Sequence, residues 1–167
     1  MSVATKILRP FFFPSFTSGF FIRMGTVALS AYLFFGYLCI PFWVRGASME
    51  PTYMDGEFNF CWRGRYFFSE PKRYDVVTVR FAGTKVMLLK RVVALEGEQV
   101  EFRNGKLFVD GREEEEPYIR FPGNWNLPVR QVAQGCVYVV GDHRGMPMEN
   151  HYFGQASKIR IMGGPVW

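Results

Sequence analysis

Residues 24–44 form an unbroken apolar segment near the start of the chain, and the pattern changes directly after it. The segment is 21 residues long and contains no charged side chain. Because an α-helix rises 1.5 Å per residue, such a helix would span about 31 Å, close to the hydrocarbon thickness of a bilayer. Tyr37 and Trp43 lie near its C-terminal end, where amphipathic rings favour the membrane–water interface. The segment is therefore predicted to be a transmembrane anchor.

Charged residues are distributed unequally on the two sides of this segment. No acidic residue precedes it, and three cationic residues do: Lys6, Arg9 and Arg23. The positive-inside rule then places residues 1–23 in the cytoplasm, or in the matrix of an organelle, and residues 45–167 on the opposite side. A cleavable signal peptide stays open as an alternative, because residues 46–48 are small.

Downstream of residue 45, apolar residues recur in short runs of strand length separated by turn residues. These runs cover residues 58–62, 74–81, 86–95, 100–109 and 137–140. Asn104-Gly105 divides the fourth run and is typical of a type I′ hairpin turn. No ten-residue stretch in this part shows helical periodicity. We therefore predict a mainly β domain over residues 45–167, a folded sheet or barrel, with the proline- and glycine-rich residues 111–135 as an excursion from its core.

Net charge and cysteine content narrow the functional classes. The net charge is +5, but lysine and arginine are scattered, which argues against a nucleic-acid partner and fits attraction to anionic lipid. The three cysteines show no metal-ligand spacing, so neither a metal nor another cofactor is expected. Cys39 lies in the apolar segment. Whether Cys61 and Cys136 form a disulfide stays open, and small buried thiols are the simpler interpretation.

Two residues stand out as candidates for catalysis. Ser48 closely follows the apolar segment, and Gly46 and Ala47 before it are small enough to let a substrate backbone approach. Lys90 interrupts an otherwise apolar run. If it is buried, its pKa falls, and a neutral amine beside a serine hydroxyl is a general base. The alternative is an edge strand on which Lys90 points to solvent.

Five segments, in order along nearly the whole chain, resemble the sequence boxes of type I signal peptidases. Residues 44–52 resemble the nucleophile box, in which a Ser-Met pair is followed by Pro-Thr. The other matching segments are residues 73–77 (with Tyr74 at the usual glycine position), 90–98 around the lysine, 104–111 with 116–119, and 141–154. The resemblance implies a membrane-bound serine endopeptidase with a signal-peptidase-like folded β-sheet or barrel.

The resemblance also implies roles for individual residues. Ser48 is expected to be the nucleophile, with its backbone N–H contributing to the oxyanion site, and Lys90 the general base. Gly46 stands where some family members have a serine hydroxyl as a second oxyanion donor. The residues expected to bind the substrate are Val44, Gly46, Met49, Leu88 and Leu89. The residues expected to form the active-site wall are Arg91, paired with Asp142, together with Arg144 and Glu149.

The last of the five segments departs from the family pattern at three positions. Pro147 occupies the position of a serine that hydrogen-bonds the lysine, so what orients Lys90 stays open. Glu149 replaces an aspartate and His151 an arginine, so a pair between them would depend on pH. His143 and His151 are expected to be surface or wall residues rather than members of a triad.

The expected function is removal of signal peptides from exported precursor proteins at the surface of a lipid bilayer. A dedicated maturation peptidase for pilin or conjugation precursors stays open, as does an inactive membrane-anchored homologue that only binds peptides. The expected location is the bacterial inner membrane, with the N-terminus cytoplasmic and the β domain periplasmic; the mitochondrial inner membrane is the alternative. The oligomeric state stays open.

Overall fold

The computed structural model describes residues 16–80 and 87–167. It divides into an N-terminal unit that ends at Leu38 and a second unit, Cys39–Trp167. Within the described ranges the helical elements are α1 (Ser18–Leu33), a π-helical turn (Phe34–Leu38) and short 3₁₀ helices (Ala47–Met49, Arg63–Tyr66, Met148–Asn150 and Lys158–Arg160). The strands are β1 (Cys39–Trp43), β2 (Phe58–Trp62), β3 (Val76–Arg80), β4 (Met87–Ala94), β5 (Gln99–Arg103), β6 (Lys106–Val109), β7 (Arg112–Glu113), β8 (Leu127–Gln131), β9 (Cys136–Val140), β10 (Gly154–Ser157) and β11 (Ile161–Pro165).

The described part of the N-terminal unit contains a helix long and apolar enough to cross a membrane. The candidate span, Ser18–Leu38, has 21 residues. Thr17 caps the helix, because its hydroxyl accepts a hydrogen bond from the N–H of Phe20 at 3.3 Å. The span begins before the predicted anchor 24–44, so that Arg23 lies inside the helix. The two other cations on which the predicted orientation depends lie outside the described residues: Lys6 and Arg9.

The last residues of the predicted anchor form a strand of the second unit instead of helix. Strand β1 pairs antiparallel with β2, with Cys39 opposite Trp62. Proline lacks the N–H that a helix interior needs, but an edge strand tolerates it, and Pro41 lies on this edge strand. The structure therefore corrects the boundary predicted at residue 44, since an apolar run alone does not distinguish the end of a helix from a following strand.

Two antiparallel sheets make up the second unit. The larger has the strand order β1-β2-β11-β3-β4-β9-β10, and the smaller has the order β7-β6-β5-β8. The hairpin between β5 and β6 turns at Asn104 and Gly105, whose φ angles of 48° and 82° are those of the predicted type I′ turn. The prediction of a mainly β fold is confirmed.

Side chains from both sheets pack into one buried cluster, and the end of the predicted excursion belongs to it. The cluster includes Val93 of β4 and Phe102 of β5, together with Trp125, Leu127 and Val132 from the segment 111–135. Strand β8 in that segment pairs with β5. The structure therefore corrects the extent of the excursion, because apolar residues placed between prolines return the chain to the core.

Candidate active site

Ser48 lies in the short 3₁₀ helix Ala47–Met49 that follows β1. Gly46 precedes this turn with a φ of 87°, a conformation that favours glycine, and its N–H donates to Asp55 Oδ1 at 2.8 Å. Met49 is 1% exposed and packs with Val44 and further apolar side chains. Burial of Met49 therefore fixes the turn from which the Ser48 hydroxyl projects.

Lys90 lies in the middle of β4, and the structure decides between the two orientations that the sequence leaves open. The residue is 3% exposed, and its Nζ lies 2.5 Å from Ser48 Oγ. Burial lowers the pKa of Lys90 to about 8, although the charge of Asp142 acts in the opposite direction. Much of the amine is therefore neutral near pH 8 and can accept the proton of the Ser48 hydroxyl.

The residues predicted to bind the substrate line one small cavity, into which Ser48 and Lys90 also open. Its members include Val44, Gly46, Met49, Leu88 and Leu89. Apolar walls of this kind suit a small side chain of an extended peptide bound next to the serine. Leu88 and Lys90 also line a second, larger cavity of about 190 Å³, against about 20 Å³ for the first.

The predicted pair of Arg91 and Asp142 is present, and it joins three segments around Lys90. The guanidinium of Arg91 donates two hydrogen bonds to the fully buried Asp142 carboxylate, at 2.9 and 2.5 Å. Thr52, four residues after Ser48 in the printed sequence, donates a third at 2.6 Å. Because a bidentate pair of this kind is geometrically specific, it holds β4, the loop after β9 and the chain after Ser48 together.

Gly141 and His143 bring the loop after β9 against the backbone of the turn that carries Ser48. The N–H of His143 donates to the Ser48 carbonyl at 3.0 Å, and its Nδ1 lies 3.1 Å from the Ala47 carbonyl oxygen. Gly141 permits this approach, because a Cβ at this position would lie 2.2 Å from the Ser48 oxygen. His143 was expected only at the surface or in the wall. The only sequence feature that pointed to the contact of His143 with the Ser48 turn is that His143 directly follows Asp142.

Comparison with known proteins identifies the family. Residues 18–166 match the family described as signal peptidase, peptidase S26. The chain belongs to this family. The resemblance inferred from the five segments is therefore confirmed, and with it the class of enzyme, a serine endopeptidase of the signal peptidase I type.

The relatives come from bacteria and from a plant. Signal peptidase I of Bacillus amyloliquefaciens is 32% identical over 140 residues, which cover 76% of this chain and 72% of that protein. Thylakoidal processing peptidase 1 of Arabidopsis thaliana is 30% identical over 155 residues, which cover 85% of this chain but only 45% of that protein. The crystal structure of a signal peptidase I from Enterococcus faecalis V583 is 24% identical, with a TM-score of 0.47, and the match covers 57% of this chain and 97% of that one.

Arg144 of this peptidase lies away from the position expected for an active-site wall. It is 1% exposed, and its guanidinium donates two hydrogen bonds to the Glu116 carboxylate, at 3.0 and 2.6 Å. Its Nε donates to the Gly141 carbonyl at 2.8 Å, and the guanidinium lies 5.0 Å from the ring centre of Phe102. Arg144 therefore joins the loop after β9 to the segment around Glu116. Its Nε contact is with Gly141, which lies against the Ser48 carbonyl oxygen.

Glu149 and His151 do not form the pair that the sequence suggests. Glu149 is exposed on the turn Met148–Asn150, whereas His151 is buried and its Nε2 donates to the His143 carbonyl at 2.9 Å. No ion pair between Glu149 and His151 exists in the part of the chain that the structure describes. Burial lowers the pKa of His151 to about 4, and the charge of Lys90 acts in the same direction. His151 is therefore a neutral wall residue of the larger cavity at pH 7.

Lys90 is oriented without the serine that Pro147 replaces. Pro147 is exposed, and among the described residues Lys90 Nζ has one hydrogen bond, to Ser48. In strand β4, Lys90 lies opposite Val77 of β3, and its neighbours Leu89 and Arg91 are both buried. Strand pairing and packing therefore supply the orientation that the family pattern assigns to a second hydrogen bond.

Potential metal ligands are not clustered in the described residues. Within residues 16–80 and 87–167, no three His, Cys, Asp or Glu side chains are placed to hold a metal ion. The three cysteines are free thiols, so Cys61 and Cys136 are not joined.

Proposed function

We propose that this peptidase removes signal peptides from exported precursor proteins with a Ser48–Lys90 dyad. The observation that supports the proposal most directly is the 2.5 Å separation between Lys90 Nζ and Ser48 Oγ in a buried environment. The small apolar cavity beside these atoms provides a place for the residue before the scissile bond. Relatives named signal peptidase I, such as that of Bacillus amyloliquefaciens, support the same class of substrate.

In the proposed reaction, neutral Lys90 accepts the hydroxyl proton of Ser48 as Ser48 Oγ attacks the scissile carbonyl. The backbone N–H of Ser48 is the proposed donor to the developing oxyanion. Lys90 then transfers its proton to the leaving amine, and the mature protein departs from an ester on Ser48. Finally, Lys90 takes a proton from the water molecule that attacks this ester and returns it to Ser48 Oγ as the ester C–O bond breaks. This step releases the signal peptide and restores both the Ser48 hydroxyl and neutral Lys90.

We further propose that the peptidase resides in a bacterial inner membrane with its N-terminus in the cytoplasm. The span Ser18–Leu38 supports the anchor, and Lys6 and Arg9 before it support the orientation. Because the substrate's own apolar segment would hold its cleavage site at the same membrane, anchoring raises the effective concentration. Alkaline phosphatase fused after Trp167 would lie in the periplasm together with the β domain, and it is therefore expected to be active in bacterial cells. An inactive fusion would contradict this orientation.

The test of the activity is cleavage of a precursor with an Ala-x-Ala site by the full-length protein in neutral detergent. Ser48→Ala and Lys90→Ala are each expected to lower kcat/KM by roughly three orders of magnitude or more, because each removes one member of a dyad that acts as a unit. Ser69→Ala and Lys106→Ala remove the same groups from exposed positions and should leave the rate unchanged. A folded wild type that does not cleave, or an active Ser48→Ala variant, would contradict the proposal.

A further inference from the structure

Two arginines that take no part in the proposed reaction line the larger cavity beside Lys90. Arg80 is the last residue of β3, and Arg160 ends the 3₁₀ helix Lys158–Arg160. Both side chains are exposed, and both line the cavity into which Lys90 and His151 also open. Two permanent positive charges therefore line the same cavity as the proposed catalytic base.

The sheet brings these two charges together. Ile161 of β11 lies opposite Val79 of β3 in an antiparallel pair. Arg80 follows Val79 along the chain and Arg160 precedes Ile161, so the two arginines lie at the same end of this strand pair. Like charges in one cavity repel each other, and an anion bound between them would relieve this repulsion.

No carboxylate of the described residues pairs with either arginine. Neither arginine takes part in an ion pair among the described residues, where the arginines that are paired have carboxylate partners such as Asp142 and Glu116. The segments 1–15 and 81–86 contain no aspartate or glutamate at all. A carboxylate from outside the chain is therefore the group that this part of the cavity lacks.

The path of the substrate chain indicates where this carboxylate comes from, and this step rests on the proposed function. If the small residue before the scissile bond occupies the apolar cavity next to Ser48, the chain continues past Lys90, which both cavities share. The larger cavity then receives the first residues after the scissile bond. A carboxylate there can form charge-assisted, bidentate hydrogen bonds with a guanidinium.

We propose that Arg80 and Arg160 determine specificity for precursors whose mature segment begins with acidic residues. Three precursors that differ only at the first two mature positions, which are both Glu, both Gln or both Lys, test this selectivity in neutral detergent. Wild type is expected to cleave the Glu precursor with a kcat/KM roughly fivefold above that of the Gln precursor, as two exposed ion pairs allow. The Lys precursor should be cleaved most slowly. The preference should shrink at high salt, because exposed charges are screened.

Charge reversal provides the decisive comparison. The double variant Arg80→Glu/Arg160→Glu is expected to cleave the Lys precursor faster than the Glu precursor, which reverses the wild-type order. Arg112→Glu, at an exposed arginine on β7, is the matched control and should keep the wild-type order.

Equal cleavage of all three precursors by wild type would overturn the proposal. A second result would also overturn it: the double variant cleaves all three precursors more slowly by the same factor, and does so only in vesicles that contain phosphatidylglycerol. The arginines would then bind lipid headgroups. Absence of any cleavage of the Gln precursor by wild type would instead contradict the proposed function.

Discussion

The burial of Lys90 has a cost in stability that accompanies its proposed role as a base. Its pKa is about 8 in the folded chain, against about 10.4 for an exposed lysine. Below pH 8 both the folded and the unfolded chain bind the proton, and the full cost of burying an ammonium is present. Between pH 8 and about 10.4 the unfolded chain binds more protons, so the free energy of unfolding rises with pH.

Lys90→Met is therefore expected to raise the free energy of unfolding at pH 7 while it abolishes cleavage. The depressed pKa corresponds to about 3 kcal/mol, and the lost hydrogen bond to Ser48 subtracts about 1 kcal/mol, which leaves a gain of roughly 2 kcal/mol. Urea denaturation measures this gain, which should disappear by about pH 10.5.

The control for this measurement is Lys106→Met in the exposed β5–β6 hairpin. It should change the free energy of unfolding by less than about 0.5 kcal/mol at every pH. A Lys90→Met variant that is less stable than wild type at pH 7 would show that the lysine is not desolvated as the structure indicates.

Single residues differ in how far the sequence reveals their roles. Ser48 and Lys90 are visible because a lysine within an apolar run and a serine after an apolar segment are unusual, and the family boxes contain both. The contact of Arg144 with Glu116 was not predictable, since it depends on how two distant loops meet. The burial of His151 was hidden for the same reason, because its ring packs against Trp125 from another part of the chain.

At the scale of structural elements, the loop after β9 holds the turn that carries Ser48 through backbone contacts. Gly141→Ala would place a Cβ 2.2 Å from the Ser48 oxygen and 2.6 Å from His151 Cε1. The backbone must move to avoid this overlap, and misplacement of a catalytic group by about 1 Å can cost about a hundredfold in rate. We expect kcat to fall by about this factor while KM changes little, as measured in the precursor assay.

Gly145→Ala is the matched control, because it lies in the same loop. A Cβ at this position would meet its nearest neighbour, Nε2 of His143, at 3.5 Å, which is an ordinary contact. Equal rates for the two variants would mean that the approach of the loop to Ser48 does not position the serine.

Elements were predictable where local chemistry alone determines them. Asn104-Gly105 specifies its hairpin turn, and the apolar β-branched residues of β3 and β9 specify buried strands. Strand β1 was not recognised, because its residues are as apolar as the helix before them and its pairing with β2 is a long-range contact. The register of β3 against β11, which places Arg80 and Arg160 at the same end of the two strands, also has no local signal.

At the scale of the whole molecule, the boundary at Leu38 predicts which truncation leaves a folded enzyme. A chain of residues 39–167 retains β1 and all of the second unit, and is expected to unfold cooperatively and to cleave a short peptide in water. A chain of residues 45–167 lacks β1 and the buried Val44, which exposes the edge of β2. We expect this shorter chain to aggregate or to unfold at a lower denaturant concentration. Equal stability of the two truncated chains would contradict the assignment of residues 39–43 to the sheet.

The pH dependence of kcat/KM tests most directly the central claim, that buried Lys90 is the general base for Ser48. The assay uses the full-length protein in neutral detergent and the precursor with glutamine at the first two mature positions. Because the neutral amine is the active form, kcat/KM is expected to rise about tenfold per pH unit at low pH and to level off above the pKa of Lys90 at about 8. A rate that does not change with pH through this range, or one that already levels off near the pKa of an ordinary histidine, at about 6.5, would contradict the account.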